Sequence, residues 1–403
     1  MGFRPFFLGA AFAGTLMIPL WVASFAGYMT PRAALAFTIA YHAHEMVFGF
    51  VSAVIAGFLL TASQSWTGRR GIHGAPLAGL FSLWLAARLA AYFAPLNFLW
   101  IYTILDVAFF PTLAALLAPY LARADQRKHW IFFVFFALLF AACVLFHLDL
   151  HGQLPGWGAA SNSLAVYTVI AYLTVVAGRL IPTFTEQAVA GARIRRWPLI
   201  ERLILPATLS FALIDCCTSL PSQTLPAGVN TMLASVHPLL ACILCVAHGV
   251  RLSGWINRAK PILWILFAAY GMIACGFALH AIAGLAGFIF STVVVPPGIA
   301  LHAFTAGAMG LFIYGMISRV ALGHTGRPIH AAPVVVVGYW LMLAAVALRI
   351  FGPLIFVSAG DLIGLTYTDV ILAAGVAWTG AYLILLVKYA PLLVRPRIDG
   401  QPG

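Results

Sequence analysis

The chain has 403 residues, of which 63% are hydrophobic and 8% are charged, and its formal net charge at pH 7 is +12. Soluble globular domains contain about 45–50% apolar and about 25% charged residues, so this composition excludes a soluble protein. It predicts an all-α protein in which residues 1–403 form a single integral membrane domain, because helices satisfy their own backbone hydrogen bonds in lipid.

Apolar segments long enough to cross a bilayer recur along the whole chain. A transmembrane helix needs about 20 apolar residues, and we predict twelve such spans, joined by short loops. They lie at residues 8–29, 39–62, 75–93, 97–119, 130–148, 162–184, 199–219, 230–250, 261–285, 297–318, 333–356 and 366–390. The expected architecture is therefore a polytopic bundle of 12 transmembrane helices.

Most of the 22 lysine and arginine residues fall in loops on one side of this predicted bundle. The positive-inside rule assigns that side to the cytoplasm. Both termini are then cytoplasmic, and the lipid bilayer is the first partner. Because the net positive charge follows from this topology, we expect no binding of nucleic acid.

The second span opens with a polar motif, Tyr41–Met46 (YHAHEM), that is costly in hydrocarbon. Intramembrane imidazoles and carboxylates usually mark functional sites and need a compensating partner. On a helix, His42 and His44 point about 200° apart and cannot share one axial site. His42 and Glu45 lie three residues apart and share a face.

Part of this motif recurs in the tenth span. His44 and His302 each lie 23 residues before a Thr-Gly-Arg sequence, which begins at Thr67 and at Thr325 (67 − 44 and 325 − 302). A weaker copy in the sixth span has Asn162 in place of the histidine. Related spans four apart predict three units of four helices, a pseudo-threefold arrangement about an axis along the membrane normal.

The predicted topology places several histidines at one depth. With a helical rise of 1.5 Å per residue, the intramembrane positions on spans two, eight, nine and ten fall roughly 10 Å below the periplasmic surface. This layer predicts at least one metal or haem site. Its candidate ligands are His42, His44, His237, His280 and His302.

Within this layer we predict two kinds of site. His44 and His302, equivalent in the repeat, are interpreted as a pair that binds one haem from opposite sides. His42 and Glu45 face a second site, for which copper is the candidate, and they are the candidate catalytic residues. Glu45 has alternative roles: it orients His42, carries protons, or forms only an internal hydrogen bond.

Other polar residues in or beside the spans receive no metal role at this stage. Asp106 in span four and Asp215 in span seven are intramembrane acids, and Asp215 is expected to join a polar network in the histidine layer. His147 and His151 flank the periplasmic end of span five.

Several sequence blocks resemble the NnrS family. They are His42–Phe50, Ala56–Ala62, Trp66–Gly68, Gly178–Thr185, His302–Ala308 and Ser318–Arg327. Members of that family are polytopic inner-membrane proteins of bacteria that contain haem and copper and are linked to nitric oxide metabolism and resistance to nitrosative stress. The resemblance implies the same location, cofactors and setting here.

The chain departs from the family pattern in span nine. The family often has a histidine in a Leu-His-x-Gly-Tyr sequence there, whereas this chain has Phe267 after Leu266. The departure bears on the copper site more than on the haem, and His280 is an alternative ligand.

The predicted architecture is also similar to the main subunit of haem–copper oxidases, where spans two and ten hold a haem between them. The copper ligands of that subunit, on spans six and seven, have no match in this chain.

The leading functional hypothesis is a protein that binds and redox-transforms nitric oxide at a periplasm-facing haem or metal site, with an unspecified electron donor or acceptor. The rival hypotheses are a transporter and a non-catalytic scavenger of nitric oxide or metal, each using the same histidine layer. Whether the protein is an enzyme is left open by the sequence.

Overall fold

The computed structural model describes residues 1–29, 38–93, 95–221, 226, 229–230, 232–289 and 297–400. Of the described residues 83% are helical, and none of them lies in a strand. The predicted all-α class is confirmed.

A long helix lies at each of the predicted spans. In chain order the helices are α1 (Phe3–Phe25), α2 (Ile39–Thr67), α3 (Ala75–Phe93), α4 (Leu99–Leu121), α5 (Ile131–Leu150), α6 (Gly158–Ala188), α7 (Pro198–Thr218), α8 (Met232–Arg251), α9 (Pro261–Ile289), α10 (Gly298–His324), α11 (Pro333–Ile363) and α12 (Tyr367–Val394). Short 3₁₀ turns at Leu96–Phe98, Ala124–His129 and Gly254–Asn257 connect some of them.

Eleven of these helices are long and apolar enough to cross a membrane, within the part of the chain that is described. The remaining helix, α7, has 21 residues and lies at the predicted seventh span. It carries Glu201, Arg202 and Asp215, a charge content that is unusual for a span in lipid. A multi-pass membrane protein is confirmed, whereas the count of twelve spans stays a prediction.

The chain divides into two compact units. Unit 1 comprises Met1–Ala165, Val320–Ile329 and Tyr382–Gly403, and unit 2 comprises Val166–Arg319 and His330–Ala381. The prediction of a single domain over residues 1–403 stays a prediction.

In unit 1, α1 packs closely along α2. A Cβ atom on Gly57 would lie 2.9 Å from a ring carbon of Phe7, so glycine permits this approach. The Phe3 N–H donates to Thr61 Oγ1 at 3.0 Å. Arg4 donates to the Leu393 carbonyl at 2.9 Å and so binds the C-terminal end of α12. These contacts hold α2 at the centre of the unit.

In unit 2, α8 packs against both α7 and α9. Arg251 of α8 forms an ion pair with Glu201 of α7 and donates to the Gly178 carbonyl at 3.1 Å. On the other side, His248 and the Tyr270 hydroxyl of α9 are 2.5 Å apart. Glu201 of α7 is therefore neutralised by Arg251 of the neighbouring helix.

Three helices contain a π-helical segment beside a predicted histidine ligand. Glu45–Val51 follows His44 directly, Ala303–Gly310 follows His302 directly, and Met232–Val236 ends just before His237. π-Bulges are rare and frequently lie at functional sites. The same irregularity at the same position in α2 and α10 supports the repeat that relates the second and tenth spans.

Candidate metal centre

Four helices of unit 1 bring a group of polar side chains together in an otherwise apolar core. α2 contributes His44 and Glu45, α3 contributes Arg88, and α4 contributes Asp106. α5 contributes Cys143 and His147, which lie four residues apart and so share one helix face. We call His44, Asp106, Cys143 and His147 the Asp106 cluster.

One carboxylate oxygen, Asp106 Oδ2, is the centre of the Asp106 cluster. It lies 2.7 Å from His44 Nε2, 3.0 Å from His147 Nε2 and 3.3 Å from Cys143 Sγ. All four side chains are at most 3% exposed. Two imidazoles, a thiol and a carboxylate thus converge on one point that is shielded from solvent.

Arg88 fixes the other side of this carboxylate. Its guanidinium donates to Asp106 Oδ1 and to the Phe48 carbonyl, and its Nε lies 2.9 Å from Glu45 Oε2. Tyr102 donates to Glu45 Oε1 at 3.0 Å. Both carboxylates are held rigidly, which is the pre-organisation that a binding site requires.

The π-helical segment of α2 gives the side chains of Glu45 and Arg88 room beside the helix backbone. A π-turn interrupts the regular i→i−4 hydrogen bonds and leaves carbonyls for side chains, and Trp84 Nε1 donates to the Gly49 carbonyl at 2.8 Å. A Cβ on Gly49 would lie 2.9 Å from Glu45 Oε2 and 3.1 Å from Arg88 Cδ. Glycine at this position therefore lets the ion pair lie against the helix backbone.

The ring of His44 is enclosed on both faces. It stacks on Phe146 with ring centroids 3.7 Å apart and on Phe48 at 4.4 Å, while Nε2 points at Asp106. Its Nδ1 has no hydrogen-bond partner among the described residues. This setting suits an ion near Nε2 better than the axial position of a haem, which requires open space beyond the coordinating nitrogen.

The ligand atoms of the Asp106 cluster lie within 4.8 Å of one another. In a tetrahedral site with metal–ligand distances of about 2.0–2.3 Å, neighbouring ligand atoms are roughly 3.4 Å apart. His44 Nε2 and Asp106 Oδ2, 2.7 Å apart, would have to separate by less than about 1 Å to admit an ion. The four residues can therefore hold a metal with small side-chain movements.

The formal charge of this core is also unbalanced. With Arg88 as a cation, Glu45 and Asp106 as carboxylates, and the histidines and Cys143 neutral, one net negative charge remains in a buried site. A proton balances it, as does a monovalent metal ion or a divalent ion that displaces the thiol proton of Cys143. Buried uncompensated charge is unfavourable, so the core favours uptake of positive charge.

The cluster is connected to the protein surface through Thr103. Its hydroxyl lies 3.1 Å from His147 Nδ1 and 2.8 Å from Nε2 of the exposed His151. A hydroxyl can both donate and accept, so Thr103 orients the His147 ring in either tautomer. Such contacts on the second ring nitrogen are typical of metal-binding histidines.

The predicted pair His42 and Glu45 lines one pocket with Met17, Trp21 and Met46. His42 stacks on Trp21 with centroids 4.2 Å apart. Glu45 also faces the opposite way, towards Arg88 and Tyr102. Glu45 therefore separates this pocket from the buried Asp106 cluster.

The other predicted ligands lie in unit 2. His280 Nε2 is 3.4 Å from Asp215 Oδ1, so Asp215 does join a polar contact there. His237 Nε2 is 3.1 Å from Ser210 Oγ, and the ring of Phe211 contacts both histidines. Among the described residues, His237 and His280 are not part of a convergent group of metal ligands like the Asp106 cluster.

His302 Nδ1 donates to the Gly298 carbonyl one turn earlier, at 2.5 Å. Because this bond fixes the tautomer, Nε2 carries the lone pair that a metal would bind. His302 and His44 belong to different units, so their pairing around one haem stays a prediction. Phe267, at the departure from the family pattern, packs directly on Gly254 in the loop after α8.

The sequence interpretation missed three members of the Asp106 cluster. The sequence predicts Asp106 only as an intramembrane acid and His147 only as a residue that flanks the end of span five, and it gives Cys143 no role. The spacing of Cys143 and His147 was the available signal, since residues four apart on a helix can bind one ion.

Comparison with known proteins agrees with the resemblance of the sequence blocks. The family model described as NnrS protein matches residues 1–397. A search of curated proteins finds no match to the chain.

Proposed function

The chain belongs to the NnrS family, and on this premise we propose that it is a membrane metalloprotein of nitric oxide metabolism whose ion binds at the Asp106 cluster. The observation that carries the proposal is the convergence of two imidazoles and a thiol on Asp106 Oδ2. In the predicted topology this site lies in the bacterial inner membrane, near the periplasmic surface.

The donor set favours copper. Imidazole and thiolate are preferred ligands of copper and zinc, whereas magnesium, calcium and manganese prefer oxygen. Copper supplies reversible one-electron chemistry and a binding site for nitric oxide, which zinc does not. The family resemblance implies copper as well.

Each neighbouring residue has a defined role in this proposal. His44, His147 and Cys143 bind the ion, while Asp106 binds it and shares its charge with Arg88. Glu45 holds Arg88 in place. Phe48 and Phe146 exclude water from the ring of His44, and nitric oxide, which is small and apolar, can reach such a site through lipid.

A haem, the second cofactor that the resemblance implies, is proposed at His302. The hydrogen bond from Nδ1 to the Gly298 carbonyl supports this role because Nε2 would then be the nitrogen that binds the haem iron. If His44 and His302 bind one haem, removing His44 releases haem. If His44 binds the ion of the Asp106 cluster, removing it releases copper.

Metal and haem analysis of purified variants separates them. We expect His147→Gln and Cys143→Ala to lose copper and keep haem, and His302→Ala to lose haem and keep copper. His44→Ala is expected to lose copper alone. Loss of haem in both His44→Ala and His302→Ala, with copper retained in His147→Gln, would support the paired haem and overturn the ion site.

The rival functions differ in turnover. A redox protein consumes nitric oxide continuously when an electron donor or acceptor is supplied, whereas a scavenger stops after one equivalent per site. A transporter moves its ion across vesicle membranes without consuming nitric oxide. Measuring nitric oxide with an electrode, together with copper flux in proteoliposomes, distinguishes the three.

A further inference from the structure

A second buried arginine, Arg319, lies in unit 2 and has no part in the Asp106 cluster. It occupies the last turns of α10 and is 5% exposed. Among the described residues it has one cation–π contact, with the ring of Phe184 in α6, whose centroid lies 3.8 Å from the guanidinium carbon. No carboxylate or hydrogen-bond acceptor in the described part of the chain pairs with it.

This environment is unfavourable for a guanidinium in the absence of a ligand. A buried cation is unfavourable unless it is paired and hydrogen-bonded, and a cation–π contact offsets only part of this cost. Arg88, equally buried, forms ion pairs with two carboxylates. The described residues thus neutralise Arg88 and provide no counter-charge for Arg319.

We propose that Arg319 anchors a binding site for a planar anionic oxygen group, which supplies the missing charge. A guanidinium presents its N–H groups in a plane and binds two oxygens of such a group side by side. Phe184 covers one face of Arg319, and the anion would bind at the N–H edge of the guanidinium. The proposal does not depend on the metal centre.

The position of Arg319 suits a ligand that enters from the end of the helix. It lies five residues before His324, the last residue of α10, which corresponds to about 7.5 Å along the axis. In the predicted topology this end faces the cytoplasm. Two sources provide the required chemistry: a free oxyanion such as nitrite or nitrate, and the carboxylate of a resident cofactor.

Thermal unfolding of the purified full-length protein tests the proposal. The variants are Arg319→Met, which removes the charge, and Arg319→Lys, which keeps the charge but loses the planar fork. Arg349→Met is the matched control, because Arg349 is a half-buried arginine of unit 2 that has the Tyr367 hydroxyl as a partner at 3.3 Å. Each protein is titrated with sodium nitrite, nitrate or acetate against sodium chloride at equal ionic strength, and its bound cofactors are quantified.

For a free oxyanion, we expect nitrite or nitrate to raise the unfolding temperature of the native protein and of Arg349→Met, and to leave Arg319→Met unchanged. For a cofactor carboxylate, no anion shifts the native protein, but Arg319→Met retains several-fold less cofactor than Arg349→Met. If Arg319→Met does not fold, Arg319→Lys is used instead. It should show a smaller anion-induced rise in unfolding temperature, or less bound cofactor, than the native protein. An anion response and cofactor content that are the same in the native protein and in the Arg319 variants would overturn the proposal.

Discussion

Arg88 in unit 1 and Arg319 in unit 2 are buried to the same extent, each 5% exposed, yet their environments are opposite. Arg88 contacts Glu45, Asp106 and a backbone carbonyl. Arg319, among the described residues, has a cation–π contact with Phe184 and no ion pair. The comparison indicates that unit 1 contains a charge network built by the chain itself, whereas the Arg319 region is complete only with a ligand.

The largest expected effect is in unit 1. Arg88→Met leaves two buried carboxylates without their cation, and breaking a buried ion pair in this way costs about 3–5 kcal/mol. Arg319→Met, assayed in buffer free of oxyanions, should lose no stability, because it removes an unpaired charge. Urea or thermal unfolding in detergent measures both. Equal destabilisation by the two substitutions would show that Arg319 has an internal partner and would end the comparison.

A double variant sharpens this result. Because Glu45→Gln removes one of the carboxylates stranded by Arg88→Met, the double variant Arg88→Met/Glu45→Gln should recover part of the lost free energy of unfolding. If the two effects simply add, Glu45 and Arg88 are not energetically coupled.

The next effect concerns the ion. Cys143→Ala removes a proposed ligand, so copper affinity should fall by more than the about 10–100-fold that loss of a contact outside the ligand set costs. Cys245→Ala, a buried thiol of unit 2, is the matched control and should leave copper binding unchanged. Competition with a copper chelator of known affinity measures both. Retention of native affinity in Cys143→Ala would exclude the thiol from the site.

A smaller effect is expected at the π-helical segments. Gly49→Ala places a methyl group 2.9 Å from Glu45 Oε2 and 3.1 Å from Arg88 Cδ, atoms that are held by the ion pair. Overpacking of this kind costs about 1–3 kcal/mol. In α10, the nearest atoms to the new methyl group of Gly307→Ala belong to the side chain of Met272, at 3.0–3.1 Å, and a methionine adapts more easily. Unfolding of both variants should therefore show the larger loss for Gly49→Ala, and the reverse order would contradict a rigid Arg88 network.

The smallest effect is expected at the edge of the cluster. Thr103→Val removes the hydroxyl beside His147 Nδ1 and His151 Nε2 but keeps the side-chain shape. We expect about a 10-fold loss of copper affinity and about 1 kcal/mol of stability. Thr305→Val is the control, because the Thr305 hydroxyl donates to the Leu301 carbonyl of its own helix at 2.9 Å. If Thr103→Val lowers copper affinity as much as Cys143→Ala does, Thr103 contributes to the site as a ligand does and is not merely a positioning residue.

Several features of the fold were predictable from the sequence because they depend on local composition. The apolar segments predicted helices at the positions where α1 to α12 lie, and the blocks around His42, Gly178 and His302 indicated the family that the match over residues 1–397 confirms. The seventh span differs from the others because its helix, α7, carries a charged residue, Glu201, that forms an ion pair with Arg251 of the next helix. Its partner could not be read from α7 alone.

The sequence alone determined the chemistry that is costly in lipid: the histidines, carboxylates and arginines placed within apolar helices. Only the tertiary structure decided that His44, Asp106, Cys143 and His147 meet at one point. The physical reason is that both faces of a membrane helix are apolar, so polarity does not encode how the helix is rotated. For α5, which is almost uniformly apolar, packing against α2 and α4 alone turns Cys143 and His147 towards Asp106.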